Sequence, residues 1–160
     1  MILHLIVLGK PTGKQEKLFR GPKFAHRYLT KATRQFQDLV RFEAAALAQE
    51  LGIDETAPQY KGPVAIRLKC YFSKPKSRQR KATSGVDMPR TVAPDNDNLA
   101  KAVQDGLSKV LFYDDAQVWK ISIEKWETDG TPRTELTIYT EEDAKATDTW
   151  PEWKGKTDGR

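Results

Sequence analysis

Four aspartates bracket one short stretch, and their types and spacing are what in this chain could do chemistry. The stretch PDNDNLAKAVQDGLSKVLFYDD opens at Pro94 with Asp95 and Asp97 one residue apart, and closes on the pair Asp114–Asp115. Hard carboxylates with no thiolate or imidazole beside them select Mg²⁺ or Mn²⁺. Only two histidines, His4 and His26, occur in the chain, so a histidine-centred acid–base mechanism is not expected. A D-x-D pair also opens calcium loops, but these need an oxygen ligand at the fifth position and Gly at the sixth. Here those positions are Leu99 and Ala100. No Walker-type phosphate loop, HExxH or zinc-spaced Cys/His set is present. Carboxylates gathered within a few ångströms repel one another, and a cation relieves that cost. Such a cation would orient a phosphodiester, polarise a non-bridging oxygen and activate the attacking water. Lys101, one turn beyond Asp97, can place positive charge on the same oxygens. It can equally form i, i+4 pairs with Asp97 and Asp105, worth only about 0.3–0.5 kcal/mol.

A helix must separate the two acid pairs. Leu99, Ala102, Val103, Gly106, Leu107 and Val110 recur at the spacing of one apolar helix face. Asp97, Lys101, Gln104 and Ser108 fall on the other side. Asp97 is expected as the N-cap, where the helix dipole favours a negative charge. Upstream, residues 2–8 (ILHLIVL) read as a buried strand. Thr30 is the expected cap of a helix running to about Leu51, with Phe36, Leu39, Val40, Ala44, Leu47 and Leu51 at helical spacing and Gly52 as its stop. Val64–Phe72 alternates Val64, Ile66, Leu68 and Cys70 against Ala65, Arg67, Lys69 and Tyr71, a strand with one face buried. Past Asp115, Val118, Ile121 and Ile123 lead into a strand ending near Glu127. Thr128–Thr131 reads as a hairpin turn and Arg133–Thr140 as its partner strand. An α/β (α+β) fold is therefore expected: a small mixed β-sheet of about four strands packed with two helices, in the order β-α-β-α-β-β.

The chain has 160 residues, enough for one domain with its own core and no staples. Residues 1–140 are expected to form it, and the charged stretch 141–160, with Trp150 and Trp153, to be a poorly ordered tail. The lone Cys70 sits in an apolar strand and reads as a buried thiol in a reducing compartment. No apolar run approaches the roughly 20 residues that span a bilayer. MILHLIVLGK lacks a signal peptide's basic start and cleavage site. A cytoplasmic location with no membrane partner is expected.

The net charge is +5, yet residues 1–140 hold 23 bases against 16 acids. A basic domain around an acidic constellation fits a polyanion held at a cation site. Between Lys10 and Arg34 the bases Lys14, Lys17, Arg20 and Lys23 are interleaved with Phe19, Phe24 and Tyr28, against the single acid Glu16. That mixture suits nucleic acid, and suits equally a solvated loop pinned by aromatic anchors. A second basic stretch, with Lys74, Lys76, Arg78, Arg80, Lys81 and Arg90 against Asp87, is too long and polar for an ordinary connection and delivers the chain to Pro94. Phosphodiester binding is the favoured reading of it over a solubilising loop.

The pattern P-D-x-D-N-L-x-K-x-x-x-D-G-L, followed by Y-D-D-x-Q-V, closely resembles the RusA family of Holliday-junction resolvases. It reads here as Pro94, Asp95, Asp97, Asn98, Leu99, Lys101, Asp105, Gly106 and Leu107, then Asp114, Asp115, Gln117 and Val118. A GKP-x-GKQ opening at Gly9–Gln15 and Tyr28-x-Thr30 before the first helix agree with it, so that about residues 1–140 are covered. The resemblance implies a homodimer with two Mg²⁺-dependent sites, each nicking one strand of a four-way DNA junction. It implies Asp95, Asp97 and Asp115 as metal carboxylates and Lys101 as the essential lysine, with Asp114 and Asn98 as neighbours that orient them. Bacterial or phage origin follows. Many relatives carry R-P-R after GKQ where this chain has Glu16-Lys17 and then Leu18-Phe19-Arg20. The 74–90 loop is also longer than in compact members. Three other readings remain: a junction-binding protein that does not cut, a nuclease preferring flaps or forks, and a D-x-D enzyme acting on another phosphate substrate such as a sugar nucleotide.

Overall fold

The computed structural model describes residues 2–53, 60–78 and 85–140. Its elements in chain order are β1 (Ile2–Leu8), β2 (Glu16–Arg20), β3 (Ala25–Leu29), α1 (Lys31–Glu50), β4 (Val64–Ser73), β5 (Met88–Pro89), α2 (Asn96–Leu107), β6 (Val118–Thr128) and β7 (Arg133–Tyr139). Five strands form one sheet in the order β1-β7-β4-β6-β5, and β2 and β3 form a separate two-stranded ribbon. The sheet is mixed: β4 runs parallel to β6 and antiparallel to β7.

Strand alternation decides which face meets the helices. Val64, Ile66, Leu68 and Cys70 of β4 point the same way as Leu3, Leu5 and Val7 of β1 and Leu136 and Ile138 of β7. Against them lie Phe36, Val40, Ala44 and Ala48 of α1 and Leu99, Ala102, Val103 and Leu107 of α2. The opposite sheet face is charged, with Arg67 bonded to Glu124 at 3.0 Å and Arg133 to Glu135 at 2.7 Å. Thr30 caps α1, its hydroxyl accepting from the Thr33 amide, and Leu51 closes the helix before Gly52 at φ 69°. Gly106 lets the two helices touch: a β-carbon there would stand 2.7 Å from Val40 Cγ1.

Four expectations need correction. β1 is half-buried rather than buried, because it is an edge strand whose Ile2, Ile6 and Leu8 face outward. Leu39 and Leu51 of the first helical pattern are exposed; only a narrower stripe of α1 meets the sheet. β6 and β7 are not a hairpin, since β4 lies between them and pairs with both. The turn after Thr128 therefore arches over the end of β4. Finally, the basic stretch after Gln15 is not an irregular loop but the β2–β3 ribbon, paired from Glu16↔Leu29 to Arg20↔Ala25. The expected 141–160 tail, with Trp150 and Trp153, lies outside the described residues.

Candidate active site

α2 starts two residues earlier than expected. Its N-cap is Asp95, not Asp97, because the Asp95 carbonyl already accepts the Leu99 amide at 3.1 Å. The Asp95 side chain makes no capping hydrogen bond, so its carboxylate stays exposed beside the helix N-terminus. Asp97 falls in the first turn, and its carboxylate accepts from Lys101 Nζ at 3.4 Å, with both side chains more than half exposed. The apolar series buries Leu99, Ala102, Val103, Gly106 and Leu107 as the spacing predicts. Burying that stripe turns Asp97 and Lys101 outward together.

Lys125 of β6 and Arg90, the residue after β5, hold the segment that delivers Asp95. Lys125 Nζ donates to the Val92 carbonyl at 3.1 Å and to the Pro94 carbonyl at 2.9 Å. Arg90 donates to the Ala93 carbonyl at 2.7 Å, pairs with the buried Glu127 at 3.3 Å and lies 4.5 Å over the Phe72 ring. The Ala93–Pro94 peptide between these anchors is cis. The signal for Lys125 and Glu127 was in the sequence: they continue the inward phase of Ile121 and Ile123. Charges in an apolar phase call for internal partners.

The second acid pair sits on a short 3-10 turn, Asp115–Gln117, ahead of β6. Asp114 is its cap, accepting from the Ala116 amide at 2.9 Å while its own amide donates to Gln117 Oε1 at 2.7 Å. Gln117 Nε2 in turn donates to the carbonyls of Tyr60 and Gly62, at 3.0 and 2.8 Å. The motif glutamine thus fixes the turn to the chain entering β4, and Asp114 is spent on backbone, leaving the exposed Asp115 beside it. The opening loop is pinned to α2 as well. The Lys14 amide donates to the Asn98 carbonyl at 2.7 Å, and a β-carbon at Gly13 would stand 3.0 Å from Pro94 Cβ. Lys14 Nζ bonds Asp105 at 2.9 Å, and Gln37 Nε2 donates to the same carboxylate. That hydrogen bond raises the Lys14 pKa against the opposing effect of burial, with the charges of Asp105, Glu16 and Asp115 adding to it. Asp105 thus joins loop, α1 and α2 rather than pairing with Lys101.

Asp97 and Lys101 are brought together on α2, Asp95 stands as its N-cap, and Asp115 lies close enough to act on Lys14. Among the described residues, no three Asp, Glu, His or Cys side chains converge tightly enough to enclose an ion as they stand. The donor set still suits Mg²⁺, which keeps several waters and commonly takes only one or two protein carboxylates with substrate phosphates. Exposed Asp95 and Asp97 offer such a pair.

The candidate DNA-binding cations divide. Lys17, Arg20 and Lys23 are exposed on the ribbon, and Lys76 is exposed beyond β4. Arg80, Lys81 and the side chain of Arg78 lie outside the described residues. Lys74 and Arg90 differ from expectation. Lys74 is buried under the arch, donating to the Val86 carbonyl at 2.7 Å and to Asp129 at 2.8 Å, because it continues the inward phase of β4. Arg90 is turned inward by Ala93 and Glu127.

Comparison with known proteins follows the same residues. A family model described as "Endodeoxyribonuclease RusA" matches residues 9–139. The chain is also 36% identical over 83 residues to the "Uncharacterized protein YqaN" of Bacillus subtilis (strain 168), a match covering 48% of this chain and 57% of that protein. The chain thus spans a little over half the length of the curated relative it matches. The matched family segment contains both acid pairs, the helix between them and the loop pinned to it: this chain belongs to the RusA endodeoxyribonuclease family.

Proposed function

We propose that this protein is a divalent-metal-dependent endonuclease that resolves four-way DNA junctions by paired nicks, with residues 1–140 as the nuclease unit. The observation that carries the reading is the exposed Asp97–Lys101 pair on α2 beside the exposed N-cap Asp95, whose preceding segment is held by Lys125 and Arg90. Asp95, Asp97 and Asp115 would hold the metal, Mg²⁺ with Mn²⁺ as a substitute. When bound, that ion supplies Lewis acidity to a phosphodiester and lowers the pKa of a water. The chain's own groups do the rest. Lys101 leaves Asp97 for the scissile phosphate and stabilises the charge that develops on its oxygens. The helix N-terminus adds favourable dipole to the same anion. Asn98 and Asp114 act through backbone and turn geometry. Exposed Lys17, Arg20, Lys23 and Lys76 supply phosphate contacts, with Arg78, Arg80 and Lys81 assigned to the same role from sequence.

Two nicks on one junction call for two sites, so a homodimer is part of the proposal. A cytoplasmic location in a bacterium or phage host belongs to it too; no helix among the described residues is long and apolar enough to cross a membrane.

One observation favours the non-cutting reading: no trio of acids converges among the described residues. Titrating Mg²⁺ into binding and cleavage assays in the same tube separates the two. Nicks that rise with Mg²⁺ while junction affinity holds support the nuclease. Tight junction binding with no nick in Mg²⁺ or Mn²⁺ supports the binding protein.

A further inference from the structure

The β2–β3 ribbon carries more aromatic surface than its own folding requires. Cross-strand neighbours share a face, so Phe19 opposite His26 and Lys17 opposite Tyr28 line one side of the ribbon. Phe24 at the tip joins them. Ring centres are 5.3 Å apart for Phe19–His26, 5.9 Å for Phe24–His26 and 6.1 Å for both Phe19–Phe24 and His26–Tyr28. The rings form a ladder, yet Phe19 is 47% and Phe24 61% exposed. They contribute nothing to the hydrophobic core, which is built from β1, β4, β7 and the helices.

Charge complementarity identifies the occupant. Lys17 lies on the ring face and Lys23 next to Phe24 at the tip, while Arg20 and Arg27 belong to the ribbon's other face, with Glu16 the single acid on the ribbon and 3.9 Å from Arg27. An apolar protein partner would not need those cations, whereas a nucleic-acid strand needs both charges and rings. In a paired duplex each base face is covered by its neighbours, so flat rings find partners only where bases are unstacked. The ribbon is also tied to the candidate catalytic helix. Its first strand follows Lys14, bonded to Asn98 and Asp105 of α2, and the Thr30 amide at its end returns to the Gln15 carbonyl at 3.0 Å.

We propose that the β2–β3 ribbon is a base-stacking arm: Phe19, Phe24, His26 and Tyr28 take the faces of unstacked nucleobases in a single-stranded or branch-point segment, while the surrounding cations hold its phosphates. The placement at a branch rests on the nuclease reading above; the affinity for unstacked bases does not. Each stacked base then has a fixed reference to Asp95 through the pinned loop, so the arm selects where along a branched substrate the cut falls.

The test uses the full chain and the double variant Phe19→Leu/Phe24→Leu, which keeps apolar bulk but removes the flat rings. Affinity is measured for a short oligothymidine and for a duplex of matched length. In parallel, 2-aminopurine is placed at the branch nucleotide or mid-arm of a four-way junction and its fluorescence followed on binding. The arm predicts quenching at the branch only, lost in the variant, with oligothymidine affinity falling about tenfold or more while duplex affinity holds. Equal weakening for single strand and duplex would overturn it, as would no change for either. A variant that binds oligothymidine normally but loses self-association in sedimentation would assign the rings to a second copy, and overturn it too. Nicking without branch quenching sinks the arm and leaves the nuclease. Oligothymidine binding lost in the variant, from a protein that never nicks, sinks the nuclease and leaves the arm.

Discussion

Lys125 touches none of the groups assigned to chemistry, yet it holds the carbonyls of Val92 and Pro94, immediately before Asp95. Removing it frees the segment that aims the first carboxylate. The change Lys125→Met keeps the apolar stem and deletes the two hydrogen bonds. Single-turnover cleavage is expected to slow roughly ten- to a hundredfold, the scale of a small misplacement of a catalytic group. Junction affinity should hold, because Lys125 has no part in the exposed cationic surface. A matched fall in binding and rate would contradict the positioning role. Asp114 differs from Asp115 in what holds it: Asp114 is committed to capping its turn, whereas Asp115 is exposed and, in the proposal, takes the metal. Asp115→Asn should therefore remove cleavage and leave thermal stability unchanged, whereas Asp114→Ala should also lower stability by about 1 kcal/mol for the lost cap. Equal melting temperatures for the two variants would count against that division.

At the scale of the element, α2 is defined by what its two faces meet. Gly106 sits where a β-carbon would press on Val40 and on the Gln37 carbonyl, so Gly106→Ala should overpack the helix contact. A loss of about 1–3 kcal/mol in urea unfolding is the expected result; no loss would mean that α1 yields without cost. Sequence patterning read the local features: Thr30 as a cap, the stripe of α2 and the inward phase of β4 need no knowledge of the rest of the chain, whereas the burial of Ala65 and Tyr71 on the other face of β4 comes from its central place in the sheet. What was not legible is pairing. The apolar runs of β6 and β7 and the short link between them fit a hairpin, but nothing local says that β4 takes the place between them. The ribbon was missed because its strands are exposed on both faces and show no buried phase. The inward roles of Lys74, Lys125 and Glu127 were readable by counting strand phase past the apolar run, where charge alone reads as solvated surface.

For the whole molecule, two ion-paired carboxylates make folding sensitive to acid. Burial pushes Glu124 up, but its hydrogen bond from Arg67, the charge of Lys69 and the Trp126 indole outweigh this and hold it below the usual value. Asp129 is held low by Lys74 and the Gly85 amide. Both have folded pKa values below their unfolded ones, near 4.3 for Glu and 3.9 for Asp. Their contribution is therefore present above about pH 4 and lost as pH falls through the lower folded values. Urea midpoints should drop between pH 7 and pH 3 with little change in slope; equal midpoints would contradict the pairing. The chain belongs to the RusA endodeoxyribonuclease family, and the central claim of the proposal is that Asp95 and Asp97 make it a metal-dependent nuclease of branched DNA. Cleavage of a synthetic four-way junction in Mg²⁺, run beside linear duplex and beside Asp97→Asn, tests it most directly. Paired nicks near the branch, absent from duplex and lost in Asp97→Asn although that variant still binds the junction, are the predicted result. Nicking that persists in Asp97→Asn, or a wild-type protein that cuts nothing in any divalent metal, would contradict it.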